Sequence, residues 1–119
     1  MENDNQRLTK IYGWAMTSSS LSYLYVVENI NNLMSVIDIA KKNKQNISLR
    51  GGGFSYGDEF LNEQNIVVDL SQMKKIISWD PMSGILVVEP SVTLQKVLKV
   101  SLKDGWILPV IPGTRFPTI

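Results

Sequence analysis

The chain contains no cysteine and no histidine. The first absence removes disulfides and thiolate metal ligands. The two together remove zinc sites of the Cys/His type, a Ser-His-Asp triad and any histidine general base within this chain. A disulfide-free chain suits a reducing compartment, so a cytoplasmic location is expected. Charge of one sign is also lacking. Twelve Lys and Arg face eleven Asp and Glu, for a net charge of +1 over 119 residues, so electrostatics give no case for nucleic acid or an anionic membrane as partner. Lys41, Lys42, Lys44, Lys74 and Lys75 read as solvated ends of elements rather than a basic patch. No apolar run approaches the roughly 20 residues of a membrane span. The opening MENDNQRLTK has no apolar core of the secretory type. Repeats, low-complexity runs and linker-like composition are absent as well. What remains, at 44% hydrophobic residues, is ordinary for a soluble globular protein with one domain and a modest core.

The pattern along the chain alternates strand-like and helix-like stretches. Residues 1–20 read as an extended arm with a loop around Gly13-Trp14 and Thr17 to Ser20. Leu24 to Val27 is a short strand rich in β-branched residues. Asn29 is placed to cap a helix whose face is Ile30, Leu33, Met34, Ile37 and Ala40, with Lys41, Lys42 and Lys44 at its carboxyl end. Ile47 to Leu49 is a second strand. Strand, helix and strand within about 25 residues predict a compact βαβ unit with a right-handed parallel pair. Ile66 to Leu70 is a third, buried strand. Lys75 to Trp79 and Ile85 to Glu89 predict a hairpin across Asp80-Pro81-Met82-Ser83-Gly84. Ser91 or Thr93 caps a second helix with Leu94, Val97, Leu98 and Leu102 on its apolar face, and Gly105 stops it. The fold class expected is α+β: a small parallel βαβ sheet with flanking helices, plus the start of a second, mostly antiparallel sheet.

The stretch Arg50-Gly51-Gly52-Gly53-Phe54-Ser55-Tyr56-Gly57-Asp58 is the most informative. It has four glycines in seven residues, directly after a strand. Such a loop lets backbone N–H groups converge on an anion, and Ser55 adds a hydroxyl. Arg50 offers charge or ties the loop down. Gly52 and Gly57 have the spacing of a nucleoside-triphosphate loop, but Asp58 and Glu59 stand where Lys and Ser/Thr are required. Gly51 and Gly53 fit a dinucleotide fingerprint, but Tyr56 occupies the third glycine's place. The stretch is therefore a different phosphate-binding loop or a flexible connection. Its position at the carboxyl end of a strand in a βαβ unit, where α/β folds bind ligands, favours the former.

These residues, continued through Ile66-Val67-Val68-Asp69-Leu70 and Gly105-Trp106-Ile107-Leu108-Pro109-Val110-Ile111-Pro112-Gly113-Thr114-Arg115, resemble the FAD oxidoreductases of the vanillyl-alcohol oxidase and p-cresol methylhydroxylase superfamily. Gly13-Trp14 fits the same likeness, which is strongest to the decaprenylphosphoryl-ribose 2-oxidase branch. The resemblance implies that Leu49, Arg50, Gly51, Gly52, Gly53, Phe54, Ser55, Tyr56, Gly57, Asp58 and Glu59 wrap the FAD pyrophosphate and reach the flavin edge. It implies that Gly113, Thr118 and Ile119 begin a second cofactor-contacting stretch. Many relatives carry a histidine where Phe54 stands and use it to bond covalently to the flavin, so a non-covalent FAD is expected here. The resemblance also implies that residues 1–119 are the N-terminal portion of an FAD-binding domain. The rest of that domain and a substrate domain are expected elsewhere, so no catalytic residue is assigned. The activity implied is oxidation of a CH–OH group of a sugar-like or other hydroxylated small molecule. The competing expectation is a non-catalytic nucleotide- or partner-binding fragment that self-associates through uncovered apolar surface.

Other residues have plainer readings. Trp14, Trp79 and Trp106 suit packing better than a site. Tyr56 divides evenly between facing a flavin and packing. Asp58 and Glu59 suit loop hydrogen bonds, Asp69 a strand-end cap, and Arg115 a loop anchor.

Overall fold

The computed structural model describes residues 7–119; the polar start of the arm, residues 1–6, lies outside them. The chain divides into two compact units, the first ending at Gln72 and the second running from Met73 to Ile119.

The first unit is built on a four-stranded sheet. Its strands are β1 (Leu8–Tyr12), β2 (Ser19–Val26), β3 (Ile47–Arg50) and β4 (Ile66–Asp69), in the order β1-β2-β4-β3. β4 is the central strand: Ile66, Val67 and Val68 are fully buried, as a continuous apolar run flanked on both faces requires. It pairs in parallel with β2 and with β3, Ile66 standing opposite both Tyr23 and Ile47. The expected βαβ pair is thus parallel but not adjacent, because β4 is inserted between its two strands. Part of the arm also proves to be a strand, β1, antiparallel to the first half of β2. That half is serine-rich, yet Ser20 and Ser22 are buried. Their hydroxyls bond each other at 2.8 Å, and Ser22 Oγ donates to the Asn62 carbonyl at 2.8 Å, so hydroxyl pairs fill the place of apolar contacts.

Helix α1 (Ile30–Asn43) starts at Asn29, whose side chain accepts from the Asn32 N–H at 3.0 Å. It ends at Lys44 in the left-handed conformation, where the Lys44 N–H reaches the Lys41 carbonyl. Its inward stripe is Leu33, Val36, Ile37 and Ala40, while Ile30 and Met34 are exposed. The helical period is as expected, but the buried face is turned toward the shorter Val36.

In the second unit β5 (Ile76–Asp80) and β6 (Ile85–Val88) form the expected antiparallel hairpin. Its turn is closed by the Gly84 N–H on the Asp80 carbonyl at 2.8 Å, with Gly84 at φ +73°. The Asp80 carboxylate accepts from Ser83 Oγ at 2.6 Å and from the Met82 N–H at 3.0 Å. Helix α2 (Leu94–Ser101) is capped by Thr93, not Ser91, through the Lys96 N–H. A short 3-10 turn then runs to Gly105 at φ +80°. Trp106 covers the hairpin turn and donates its indole N–H to the Pro81 carbonyl at 2.8 Å.

Candidate functional site

The glycine loop leaves the carboxyl end of β3 and returns to the core at Phe60, which is 2% exposed and packs with Ile11 and Val67. Ser48 Oγ donates to the Phe60 carbonyl at 2.8 Å, and the Leu61 N–H to the Asp58 carbonyl at 2.8 Å. The far end of the loop is therefore pinned by a buried aromatic ring that the sequence reading passed over. Its signal was an apolar pair, Phe60-Leu61, after two acidic residues.

The near end is held by charge. Arg50 Nη1 donates to Asp69 Oδ2 at 2.8 Å, joining the last residue of β3 to the last residue of β4. The guanidinium lies over the Phe60 ring, 5.5 Å from its centroid. It also lies directly under Gly53: a Cβ built there would stand 2.6 Å from Arg50 Nη2. Gly53 is at φ +74° and Gly57 at φ +86°, a region in which only glycine sits without cost. Of the two roles open to Arg50, tying down the loop is the one its contacts describe. Asp69 caps its strand, as expected, by accepting from the Ser71 N–H at 2.8 Å, and it carries the ion pair in addition.

Between these two anchors the loop presents its main chain outward. Gly52, Phe54, Ser55, Tyr56, Gly57, Asp58 and Glu59 are exposed, with Tyr56 at 77%. Among the described residues, the N–H groups of Gly53, Phe54, Ser55 and Tyr56 donate to no protein acceptor. A run of free donors around left-handed glycines is the kind of backbone arrangement that can receive an anion. A groove of about 430 Å³ lies beside it, lined by Tyr12, Trp14, Met16, Arg50, Gly53 and Asp69 among others.

The expected second stretch lies in the second unit. Thr118 bridges to Thr93, and the Ile119 N–H reaches the Val92 carbonyl at 3.2 Å. Gly113 lines a groove of about 390 Å³ with Leu94 and Leu98, whereas Ile119 lines a different one, of about 420 Å³, with Trp79 and Trp106. The three residues do not converge on one pocket. Arg115 anchors its segment through its carbonyl, which accepts from the Gln95 N–H at 3.1 Å.

Residues 21–119 match the family described as FAD binding domain. The chain belongs to that family. This FAD-binding domain is 28% identical over 111 residues to decaprenylphosphoryl-β-D-ribose oxidase of Mycolicibacterium smegmatis, with 92% of this chain and 24% of that protein covered. Among solved structures it resembles 6-hydroxy-D-nicotine oxidase from Arthrobacter nicotinovorans, with a TM-score of 0.68 and 20% identity over 82% of this chain and 24% of the other. It also resembles p-cresol methylhydroxylase, with a TM-score of 0.59 and 24% identity over 71% and 17% of the two chains. The α+β architecture, parallel sheet followed by antiparallel hairpin, is that of the FAD-binding domain of the p-cresol methylhydroxylase type. The chain spans 24% of the length of the mycobacterial relative. Among the described residues no helix is long and apolar enough to cross a membrane.

Proposed function

We propose that the FAD-binding domain holds the cofactor's pyrophosphate on the loop from Leu49 to Glu59. The observation that carries this is the row of N–H donors from Gly53 to Tyr56 with no acceptor among the described residues, with positive φ at Gly53 and at Gly57. The residues fit an anion: neutral amide donors and the Ser55 hydroxyl surround it, while Arg50, the cation beneath Gly53, is already paired with Asp69. Gly51, Gly52 and Gly57 supply close backbone approach, and Phe54, Tyr56, Asp58 and Glu59 form the rim. In the second unit Gly113, Thr118 and Ile119 contact the cofactor separately, a role supported by the resemblance alone.

Phe54 has no nucleophilic atom, and the chain has no histidine, so the FAD is held non-covalently. When bound, FAD accepts a hydride from a C–H bond; this chain's residues contribute binding and orientation. The reaction proposed for the whole protein is oxidation of a CH–OH group in a sugar-like or other hydroxylated small molecule. Residues 1–119 then form the N-terminal portion of the FAD domain, with substrate-handling groups supplied by sequence outside it.

One loop does not wall in the adenine, ribityl and isoalloxazine portions of FAD. Association costs an estimated 4–15 kcal/mol, and each amide bond returns about 0.5–1.5 kcal/mol net, somewhat more to a charged phosphate. The 119-residue chain by itself is therefore expected to bind FAD near the millimolar range and to turn over no substrate. The test is an amide-resolved NMR titration of the purified chain with FAD. Shifts concentrated on Gly51 to Gly57 with weak affinity are expected; an unresponsive loop overturns the assignment. Stoichiometric micromolar binding would show that the chain suffices alone and overturn the expectation of weak affinity.

A further inference from the structure

We infer that the Gly13-Trp14 turn between β1 and β2 is a positioning element for the glycine loop, so that the cofactor site extends into the N-terminal arm. The inference rests on the proposed role of the loop. It also concerns residues that precede the region matched by the family, which begins at residue 21.

Two contacts carry it. The turn is closed by two backbone hydrogen bonds: the Gly13 N–H donates to the Ser18 carbonyl at 3.0 Å, and the Met16 N–H to the Gly13 carbonyl at 3.0 Å. Its first residue then abuts the loop backbone, because a Cβ built on Gly13 would stand 2.7 Å from the Gly57 carbonyl oxygen. Glycine at 13 is what lets turn and loop meet main chain to main chain. The next residue adds a side-chain contact, with the Trp14 indole edge-on to the Tyr56 ring at a centroid distance of 5.4 Å and an interplanar angle of 65°. Tyr56 is otherwise largely solvent-exposed, and its neighbours Ser55 and Gly57 make no hydrogen bond to another described residue. The stretch Ser55 to Gly57 therefore has the arm as its lateral support, while Arg50 supports Gly53 from below.

This arrangement assigns Gly13 and Trp14 an indirect role. They donate nothing to a phosphate; they restrict where the Ser55 and Tyr56 amides point. A loop that is ordered before the ligand arrives loses less conformational freedom on binding. Losing an aromatic pair should weaken binding about three- to tenfold.

The experiment uses the 119-residue chain and the variants Trp14→Ala, Trp14→Phe and Gly13→Ala. Two readouts are taken by NMR: backbone order of Ser55 to Asp58 without ligand, and the dissociation constant for FAD from the loop amide shifts. Amides of Ile66 to Val68 report whether the sheet is retained. Trp14→Ala and Gly13→Ala should loosen Ser55 to Asp58 and weaken FAD about three- to tenfold, with the β4 amides unmoved. Trp14→Phe should restore both. Unchanged loop order in Trp14→Ala and Gly13→Ala overturns the inference, as does wild-type FAD affinity in both. A loop that loosens as expected in a protein whose wild-type loop ignores FAD supports the mechanical coupling, and the failure then lies with the loop's proposed ligand.

Discussion

Substituting Gly53 by alanine tests whether the glycine loop is seated on Arg50. Two costs add. A Cβ at φ +74° disfavours the left-handed conformation by about 1–2 kcal/mol. The same Cβ would lie 2.6 Å from Arg50 Nη2 and 3.0 Å from Cζ. An arginine head on the surface would swing away. This one is held by Asp69 at 2.8 Å, with the Asp69 side chain only 11% exposed, and by the Phe60 ring below it. Moving it strains or breaks a partly buried charged hydrogen bond, at about 1–3 kcal/mol. Alanine recovers about 0.4–1 kcal/mol by restricting the unfolded chain, which leaves a net loss of roughly 1.5–4 kcal/mol.

The assay is denaturant-dependent hydrogen exchange at Val67 and Val68, which report the first unit from its fully buried strand. Gly113→Ala is the control. Its Cβ meets no atom within 4 Å and its φ is not positive, so it should stay within about 0.5 kcal/mol of wild type. In an Arg50→Ala background the contact portion of the Gly53→Ala cost should vanish, leaving the φ portion. A Gly53→Ala cost below about 0.5 kcal/mol, or one indifferent to Arg50, refutes the reasoning. The variant also shows why Gly53 is a poor probe of cofactor binding taken alone: it perturbs the seat of the loop as well as its donors.

Three further outcomes are expected. Gly84→Ala should destabilise the second unit by about 2–4 kcal/mol, since its Cβ would stand 2.7 Å from the Trp106 ring at φ +73°; a normal melt with unchanged tryptophan emission would count against this. The Ser83 hydroxyl, and after it the Met82 N–H, hold the Asp80 carboxyl below its usual 3.8. Its folded-state pKa is depressed, so the turn's contribution is present above the unfolded value and fades as pH falls through the folded one. A carboxyl titration midpoint at or above 3.8 in the folded protein contradicts this, and Asp80→Asn should remove the dependence. Finally, acid or heat denaturation of the FAD-loaded protein should release all flavin, because Phe54 cannot bond to it; fluorescence that stays with the unfolded polypeptide contradicts the non-covalent assignment.

The parts of the fold legible in the sequence were those set by local chemistry. The Ile66-Val67-Val68 run, the Asn29 and Thr93 caps, and the Asp80 to Gly84 turn each follow from a few neighbouring residues, and the structure has them. The parts that were not legible depend on partners far along the chain. β4 enters between β2 and β3 because Ile66 pairs with both Tyr23 and Ile47, and nothing local to those strands encodes that choice. The first half of β2 looked like loop because Ser20 and Ser22 are poor strand formers alone. Asn62, some 40 residues later, completes their hydrogen bonds. On α1 the helical spacing admits two overlapping apolar stripes, and packing against the sheet selected the one through Val36 and Ala40.

The candidate site shows the same division, and it changes what the glycines mean. Seen as sequence, Gly51 to Gly57 is one motif, either a flexible connection or, as its place after a strand favours, a loop for close approach to an anion. In the structure two of its glycines, and one outside it, answer to neighbours in the protein itself. Gly53 admits the Arg50 guanidinium beneath the loop, Gly57 turns the chain at φ +86° toward the buried Phe60, and Gly13 receives the Gly57 carbonyl from the side. None of these supports uses the amides of Gly53 to Tyr56, which donate to no acceptor among the described residues. A loop made only of glycine would reach an anion equally well but would surrender more conformational freedom to do so. The Arg50–Asp69 pair, Phe60 and Trp14 convert that flexible composition into a surface with a fixed shape. That is why residues which touch no ligand should govern its affinity.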